Sequence, residues 1–306
     1  MALVGVLEGR VAVITGAAGG LGREYTKLFL REGALVVAAD LPAGMGASPF
    51  RDLSEEFSGT GRLIIQPGDV SDPRSAEEIV ASAVSAGGHL DVLVNNAGNF
   101  REGPLVDFAV DDFDALMRVH VRGHFLMARS AARHWKARSD AGESFDASLI
   151  NTTSRSALKS IPEHSAYAAA KSAVITFSTT LAAELRGSGV RVNCVAPFAR
   201  TAMTQGVKVL DGVLSAAARE HDEFDPFDPA NVAPIVAYLA TRTCPLTGEV
   251  LFAHGGEISR YEPWQVGAQV VREHRLSVAE LAQELPTLFS GSPSNAFPGG
   301  AHRGRP

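Results

Sequence analysis

The chain is short of cysteine and of positive charge, and both shortages exclude classes of protein. Only Cys194 and Cys244 occur in 306 residues, which is too few for a disulfide framework, and neither has a partner at metal-ligand spacing. The formal net charge is -6, and no block of lysine and arginine offers a surface to nucleic acid or to an anionic membrane. We therefore expect a protein of the reducing cytoplasm, without nucleic-acid or membrane partners.

Long apolar runs are missing as well. No uncharged hydrophobic stretch approaches the ~18 residues that a membrane-spanning helix needs. The first eight residues lack the charged region and the cleavage site of a secretory signal, so export is not expected. With 45% hydrophobic residues, the chain is long enough for one sizeable core, and the length favours a single domain with a tail.

Short apolar runs alternate with helical patterns over most of the chain. The runs are too apolar to alternate between two faces, which is typical of strands buried on both sides of a parallel sheet. They span 11–15, 35–39, 63–66, 92–95, 149–152, 190–195 and 250–253, and the helical patterns lie near 20–32, 75–86, 111–137, 164–186 and 231–241. This alternation predicts an α/β fold with a doubly wound, seven-stranded parallel sheet.

The pattern also predicts how the chain is divided. Residues 1–256 are assigned to the catalytic domain, within which the segment at about 202–228 is long enough to form a lid over a site. Residues 257–290 are expected to form a C-terminal extension with one helix, from Ser277 as N-cap to about Leu288. The Gly/Pro/Ser-rich residues 291–306 are expected to be a disordered tail.

A glycine-rich turn follows the first predicted strand, with the sequence Thr15-Gly-Ala-Ala-Gly-Gly-Leu-Gly22. Gly16, Gly20 and Gly22 stand where the strand turns sharply into a helix. Glycine lets the backbone approach a pyrophosphate, and the helix N-terminus offers amides and a partial positive charge to the anion. A plain strand-to-helix turn is the alternative, although it rarely needs three glycines at these places. The turn predicts a dinucleotide site.

Asp40 ends the next predicted strand, 18 residues after Gly22. Its carboxylate can accept hydrogen bonds from both hydroxyls of an adenosine ribose. A 2′-phosphate there would bring about -1.5 to -2 charges beside the carboxylate, and Ala17, Ala18 and Leu41 supply no compensating cation. We therefore predict NAD rather than NADP; the alternative is that Asp40 merely ends a strand.

Two further polar groups follow predicted strands, Asp69-Val70 and Asn95-Asn-Ala-Gly98. The carboxyl ends of parallel strands form the edge at which open α/β sheets bind ligands. Asp69 can bond an adenine amino group there. The two asparagines can contact the cofactor or lock adjacent strands, and we expect both roles in part.

Tyr167 and Lys171 are four residues apart in a helical run, which places them on one face. A phenol acts as acid or base near neutral pH only if its pKa falls by about 3 units, roughly 4 kcal/mol. One ammonium at about 4 Å contributes on the order of 4 kcal/mol at an effective dielectric near 20, so Lys171 alone is expected to suffice. Ser154, just after the strand at 149–152, can hold a substrate oxygen as its charge changes. A Tyr–Lys pair also arises by chance in amphipathic helices, but beside a dinucleotide site it indicates hydride transfer between a nicotinamide and a secondary alcohol or ketone.

In this order the motifs resemble the short-chain dehydrogenase/reductase family: the glycine pattern, Asp40, Asp69, the Asn-Asn-Ala-Gly run, Ser154, Tyr167, Lys171 and Val192-Asn-Cys-Val-Ala-Pro197. The resemblance covers roughly residues 8–256. It implies a Rossmann-like subunit in a homotetramer or homodimer built on the helices near 111–137 and 164–186. The cofactor-lining positions that it implies are Gly16, Gly20, Leu21, Gly22, Asp40, Asp69, Val70, Asn96, Ala97, Gly98, Tyr167, Lys171, Pro197 and Thr201.

One position departs from the family pattern. Members usually carry a proton-relay asparagine in the segment 117–125, and His120 stands in its place. We include His120 among the catalytic candidates, either holding a water chain to Lys171 or only packing. His120 and His124 imitate a metal pair, but no Glu follows His120 and no third ligand is evident by spacing, so no metal is predicted.

The Arg-Val-His120 run, residues 196–204 and 231–234, and the tail after Gly255 resemble more narrowly the (3R)-hydroxyacyl-CoA dehydrogenase module of multifunctional enzymes. A 3-hydroxyacyl-CoA is therefore the first expected substrate, with Arg155 and Lys159 either facing its anionic groups or solvated. The glycines that such modules often carry are missing from the loop 155–164. The alternatives are a steroid or alicyclic alcohol dehydrogenase and, from another class, a catalytically silent NAD-binding scaffold or sensor.

Overall fold

A computed structural model describes residues 5–42, 48–203, 224–262 and 265–288. Its centre is one eight-stranded sheet in the order β3-β2-β1-β4-β5-β6-β7-β8. Seven strands are parallel and β8 runs antiparallel to β7. The strands are β1 Val11–Thr15, β2 Leu35–Asp40, β3 Leu63–Pro67, β4 Val92–Asn95, β5 Ala147–Thr152, β6 Val190–Pro197, β7 Val250–His254 and β8 Glu257–Arg260.

Helices cover both faces of this sheet. They are α1 Gly20–Arg31, α2 Ser48–Glu56, α3 Pro73–Gly87, α4 Val110–Leu116, α5 His124–Asp140, α6 Ser165–Glu184 and α7 Ala233–Ala240. A π-helical segment, Met117–Gly123, joins α4 to α5, and 3₁₀ turns lie at Arg155–Ala157 and Pro229–Val232. The predicted α/β, doubly wound, Rossmann-like fold is confirmed.

The two core layers explain why the strand sequences are apolar without alternation. Ala12 and Ile14 of β1 pack in one layer with Phe29 of α1, whereas Val13 packs in the other with Ile79 of α3. Successive side chains of a strand point to opposite faces, and here both faces are covered. Every residue of β1 is therefore buried.

The seven predicted parallel strands are present, and the sheet has an eighth, antiparallel strand that was not predicted. β8 follows β7 after a turn in which Gly255 has a positive φ of 52°, and His254 pairs with Glu257 across it. No apolar run indicates this strand, because three of its four residues are exposed. Helix α2 was not predicted either; its buried Phe50 and Leu53 are too few to give a clear helical period.

The described part of the chain forms two compact units, of which the first ends at Tyr261. The second contains helix α8, Val278–Leu288, whose first turn is capped by Ser277. The Ser277 hydroxyl accepts the amide N–H of Glu280 at 3.2 Å, and the Glu280 carboxylate accepts the amide N–H of Ser277 at 2.8 Å. Most of the predicted lid (204–223) and the predicted tail (291–306) lie outside the described residues. No described helix is long and apolar enough to cross a membrane.

Candidate active site

The glycine-rich turn after β1 is packed too closely for side chains. A Cβ atom on Gly22 would lie 2.1 Å from the Gly16 carbonyl oxygen, and one on Gly16 would lie 2.8 Å from the Cα of Ala97. Gly16 and Gly20 also have positive φ angles of 66° and 50°, which glycine adopts without the Cβ penalty. The turn therefore has the closely packed backbone that its glycines predict, and it lies against the end of β4.

Thr15 and Asn96 hold this turn in place. The Thr15 hydroxyl accepts the amide N–H groups of Asn96 at 3.0 Å and Ala97 at 3.1 Å. The Asn96 side chain donates to the Thr15 carbonyl at 3.0 Å and to the Gly16 carbonyl at 3.3 Å. Sequence reasoning missed Thr15; its signal was a hydroxyl at the last position of the strand, facing the neighbouring asparagines.

Asn95 has the strand-locking role that the sequence offered as an alternative. Its side-chain amide donates to the Asn151 side-chain oxygen at 2.9 Å and to the His124 carbonyl at 3.3 Å. Asn151 in turn donates to the Ser178 hydroxyl at 2.7 Å. Buried amides thus tie β4 to β5, and β5 to α6.

Asp40 is anchored to the same turn. One carboxylate oxygen accepts the amide N–H of Ala18 at 2.8 Å, and the other accepts that of Leu41 at 2.8 Å. Among the described residues no ion pair joins Asp40 to a lysine or arginine. The end of β2 therefore carries its negative charge within hydrogen-bonding distance of the turn.

The remaining predicted cofactor positions lie around this edge at different depths. Thr201 is next to the turn, since a Cβ on Gly20 would lie 3.2 Å from its methyl group. Asp69 follows β3 and accepts both the amide and the hydroxyl of Ser71, at 2.8 and 2.7 Å.

Val70 is buried in the opposite core layer. Leu21 packs against the first core layer, Pro197 is the last residue of β6, and Gly98 lies against His120.

Ser154, Tyr167 and Lys171 come together beyond the end of β5. The Lys171 ammonium donates to the Thr152 carbonyl at 2.8 Å, and the Thr153 hydroxyl donates to the Lys171 carbonyl at 2.8 Å. The Lys171 nitrogen lies 5.9 Å from the centre of the Tyr167 ring. The Ser154 oxygen accepts the amide N–H of Ser156 at 3.1 Å, and the Ser154 side chain lies close enough to Tyr167 to lower the pKa of the phenol. The structure therefore gathers the predicted catalytic trio in one place.

Burial, rather than the Lys171 charge, dominates the titration of this trio. Burial raises the pKa of Tyr167 to about 12, and the nearby Ser154 side chain lowers it only in part. Burial also lowers the pKa of Lys171 to about 7. The expected lowering of the phenol pKa by a single ammonium is therefore not found in the protein alone, because removing the phenolate from water dominates.

His120 lies in the π-helical segment and faces Tyr167, with ring centres 5.4 Å apart. Its Nε2–H donates to the Asn99 carbonyl at 2.7 Å, whereas its Nδ1 atom is buried without a hydrogen-bond partner among the described residues. Burial and the nearby Lys171 charge hold the pKa of His120 well below its usual value. The imidazole is therefore neutral and presents a bare acceptor nitrogen; π-helical bulges often occur at functional sites.

His124 shares the burial of His120 but not its position beside Tyr167. Burial and the Lys171 charge lower the pKa of His124 to about 3, and its Nε2 atom has no partner in the described part of the chain. The two histidine rings are 6.5 Å apart. No three His, Cys, Asp or Glu residues among those described are grouped to hold a metal ion.

Aromatic rings surround the outer side of the trio. Phe100, in the loop after β4, makes an edge-to-face contact with Tyr167 at 4.9 Å between ring centres. The guanidinium of Arg155 lies 4.5 Å over the ring of Phe198. Sequence reasoning found Arg155 but missed Phe100, which lies 67 positions from Tyr167 and has no signal in local spacing.

Comparisons with known proteins find relatives that match most of this chain. A family model described as enoyl-(acyl carrier protein) reductase matches residues 16–257. Hydroxyacyl-CoA dehydrogenase ChsB1 of Mycobacterium tuberculosis is 36% identical over 307 residues, covering 95% of this chain and 92% of that protein. Peroxisomal multifunctional enzyme type 2 of Mus musculus is 30% identical over 284 residues, covering 90% of this chain and 36% of that protein.

Solved structures resemble this chain in fold and, at 27% to 34% identity, in sequence. A short chain dehydrogenase from Mycobacterium avium aligns with a TM-score of 0.82 and 34% identity, covering 94% of this chain and 96% of that one. One from Burkholderia cenocepacia in complex with NADP has a TM-score of 0.70 and 30% identity, with 82% and 98% covered. A 3-ketoacyl-(acyl-carrier-protein) reductase from Brucella melitensis complexed with NADH has a TM-score of 0.68 and 27% identity, with 80% and 97% covered.

Proposed function

The chain belongs to the short-chain dehydrogenase/reductase family, and on that premise we propose that it is an NAD-dependent enzyme for a 3-hydroxyacyl thioester. As a family member it is an oxidoreductase that acts on CH–OH groups with a nicotinamide cofactor and interconverts an alcohol and a ketone. The observation that carries the proposal is the meeting of Ser154, Tyr167 and Lys171 at the end of β5, on the same sheet edge as the glycine-rich turn.

The residues of the turn fit a dinucleotide. A Cβ on Gly22 would meet the Gly16 carbonyl oxygen at 2.1 Å, so only glycine permits this tight turn into a helix whose N-terminal amides can bind an anion. Bound nicotinamide supplies or accepts the hydride. In the proposal this chain's own residues do the rest: they bind the cofactor, orient the substrate oxygen and move one proton.

Tyr167 is the proposed acid and base. With its pKa raised to about 12, the phenol is protonated at neutral pH, and it can donate its proton to a ketone oxygen as the carbonyl carbon is reduced. Oxidation requires the reverse transfer, for which the phenolate must be stabilised. Lys171 supplies one positive charge for this, and the pyridinium of the oxidised cofactor supplies a second.

Ser154 and His120 have supporting roles in this scheme. The Ser154 hydroxyl holds the substrate oxygen beside the phenol. His120, neutral and with a bare Nδ1 atom, is placed to accept a hydrogen bond from a water molecule that leads toward Lys171. His120 would then do the work of the relay asparagine of the family.

Asp40 supports NAD as the cofactor. Related structures hold NADP in one case and NADH in another, so family membership does not choose between them. In this chain the Asp40 carboxylate is fixed to the Ala18 amide at 2.8 Å, where the 2′-phosphate of NADP would meet its charge. Repulsion between these anions favours NAD.

The thioester substrate is supported by the relatives and by Arg155. The hydroxyacyl-CoA dehydrogenase of M. tuberculosis covers 95% of this chain. Arg155, directly after Ser154, rests on Phe198 and places a cation at the rim of the site, where the phosphates of a CoA carrier can approach. A cytoplasmic setting is part of the proposal, and the buried free thiols of Cys194 and Cys244 are consistent with it.

A homotetramer or homodimer is also proposed. An apolar groove runs between the π-helical segment, the start of α5, and α6, and it is lined by Met117, Val121, Phe125, Ala173, Val174 and Phe177. Phe125 is 47% exposed and makes an edge contact with Phe177 at 6.4 Å. An apolar surface of this kind on a single chain favours contact with a second copy.

The test is turnover of NADH by the purified protein on acetoacetyl-CoA and a longer 3-ketoacyl-CoA, beside steroid and cyclic ketones. We expect turnover on the thioesters, and a higher kcat/KM with NADH than with NADPH. Turnover only on the ring ketones would discard the thioester while leaving hydride transfer in place. Preference for NADPH would overturn the role of Asp40.

A further inference from the structure

His164 joins the two loops that flank Tyr167. Its Nε2 atom lies 3.2 Å from the Glu102 carboxylate in the loop after β4, and its Nδ1 atom lies 3.2 Å from the Ser156 hydroxyl in the loop after β5. The side chain is only 4% exposed. The amide of Gly103 also donates to the Glu163 carbonyl at 2.9 Å, so side chain and backbone both hold the loops together.

The bonds of His164 continue to the proposed catalytic serine. The amide N–H of Ser156 donates to the Ser154 oxygen at 3.1 Å, which fills one acceptor position of that oxygen. A serine hydroxyl has one proton and two lone pairs, so the remaining groups are left for Tyr167 and for a substrate oxygen. Whatever fixes the peptide of Ser156 therefore also fixes the direction of the Ser154 hydroxyl.

A second path from His164 runs through aromatic contacts. The Phe100 ring makes edge contacts with His164 at 5.2 Å and with Tyr167 at 4.9 Å. The His164 ring is itself 6.5 Å from that of Tyr167. Packing around the phenol therefore depends on where the imidazole is held.

The backbone beside His164 is strained. Glu163 is the only described non-glycine residue with a positive φ, 68°. Such a conformation is strained in a residue with a Cβ atom and persists only where the surroundings determine it. The bonds to Glu102, Ser156 and Gly103 supply that constraint, directly before the helix that carries Tyr167.

We propose that His164 is a positioning residue for the reaction: held by Glu102, it fixes the Ser154 hydroxyl through Ser156 and the Tyr167 ring through Phe100. The role rests on the hydride-transfer function proposed above. Because Ser156 is buried, its role in this chain of bonds is to orient Ser154 and not to act as a second nucleophile. His164 does not touch the substrate oxygen and acts only through its neighbours.

The test compares three variants in the ketone-reduction assay. His164→Leu is expected to lower kcat by about 10- to 100-fold, the range for small misplacements of reacting groups, while the Kd for NADH stays close to that of the wild type. His164→Gln keeps a side-chain donor and acceptor for Ser156 and is expected to recover most of kcat. A His164→Leu enzyme with wild-type kcat, or a Gln variant as slow as the Leu variant, would overturn the proposal.

His89 provides the matched control. It is another histidine paired with a carboxylate, its Nε2 atom lying 2.9 Å from Asp91, but it stands just before β4, at the opposite edge of the sheet. His89→Leu is expected to leave kcat unchanged. An equal loss of kcat in both leucine variants would show a general effect of removing such pairs, and would reject a specific role for His164.

A double-mutant cycle separates positioning from a structural role. If His164 acts through Ser154, then His164→Leu causes little further loss of kcat in the Ser154→Ala background. Losses that multiply both in this background and in a Phe100→Leu background would contradict the proposal. Ser156→Ala carries the same test if His164→Leu does not fold.

The Tyr167→Phe variant distinguishes failure of the proposed hydride-transfer function from failure of the positioning role of His164. Full turnover in that variant means that the proposed acid/base function itself has failed. An inactive Tyr167→Phe beside a fully active His164→Leu means that only the positioning role has failed.

Discussion

The two edges of the sheet bury polar groups in different ways. At the amino edge, Arg10 is 1% exposed, and its Nε, Nη1 and Nη2 atoms all donate, to the Ala240 carbonyl and to the carbonyl and carboxylate of Asp146. At the carboxyl edge, Lys171 donates to one carbonyl and has no carboxylate partner among the described residues, and His120 has a bare nitrogen.

This difference separates groups that stabilise the fold from groups available for chemistry. A buried charge whose hydrogen bonds are all made destabilises the folded state little. Removing one of its partners costs much free energy. A buried charge or acceptor left incomplete weakens the fold, and such groups are often found at functional sites. Substitutions at the two edges should therefore have opposite effects on activity and stability.

The largest expected effect is that of Tyr167→Phe. Loss of the phenol proton should lower kcat on the order of a thousandfold, while NADH binding and the free energy of unfolding change little. Steady-state rates and NADH fluorescence titration measure the two parts. Retained turnover would show that the carboxyl edge does not work as described.

Lys171→Met should stabilise the protein while lowering turnover, though by less than Tyr167→Phe does. With a folded pKa of about 7 against 10.5 for an ordinary lysine, the unfolded state binds more protons between those two values. Wild-type stability should therefore rise as pH rises from about 7 to 10, and fall as pH returns to 7. The variant should lack this rise and gain up to about 4 kcal/mol at pH 7. Urea unfolding at both pH values checks this, and a parallel pH dependence in both proteins would contradict it.

Arg10→Met should do the reverse. Removing one partner of a buried charged network should lower the free energy of unfolding by about 3 kcal/mol, and the enzyme that stays folded should keep its kcat. Chemical denaturation beside an assay at low temperature measures both. A loss of kcat without a loss of stability would break the comparison of the two edges.

Asp40→Ala tests the part of the carboxyl edge that is proposed to bind the nucleotide cofactor. Losing hydrogen bonds to a charged acceptor costs about 2 kcal/mol, so KM for NADH should rise roughly 30-fold, with a much smaller change for NADPH. The ratio of kcat/KM for the two cofactors is the measurement. An unchanged ratio would mean that Asp40 only anchors the turn at Ala18.

His120→Asn should have the smallest effect. An asparagine side chain can take the place of the neutral imidazole in holding a water, so kcat should stay within about tenfold of the wild type. The pH–rate profile of the variant is the measurement. A complete loss of activity would give the imidazole a role that the family's asparagine cannot fill.

Local spacing was enough to predict the parallel strands, the glycine-rich turn and the closeness of Ser154, Tyr167 and Lys171. Tyr167 and Lys171 share one helix face, and Ser154 and Asp40 lie at or just past strand ends, where the order of elements decides which edge they reach. The eighth strand was not predictable in the same way, because its exposed residues form no apolar run.

Spacing in the sequence could not predict contacts between distant positions or the consequences of burial. Glu102 and His164 are 62 positions apart, and no local pattern pairs them. The π-helical segment that turns His120 toward Tyr167 leaves no mark in the apolar period. The rise of the Tyr167 pKa depends on how completely the surrounding chain excludes water, which a four-residue spacing does not report.

The most direct test of the account follows the hydrogen itself. The protein is mixed with a 3-ketoacyl-CoA and NADH deuterated at C4 of the nicotinamide, in both stereoisomers, and the product is analysed by mass spectrometry. The account predicts a 3-hydroxyacyl-CoA that carries one deuterium at C3 with one of the two isomers, and formation of this product on the order of a thousandfold slower in Tyr167→Phe. Bound NADH with no deuterated alcohol from any ketone would contradict it, and would favour a cofactor-binding scaffold.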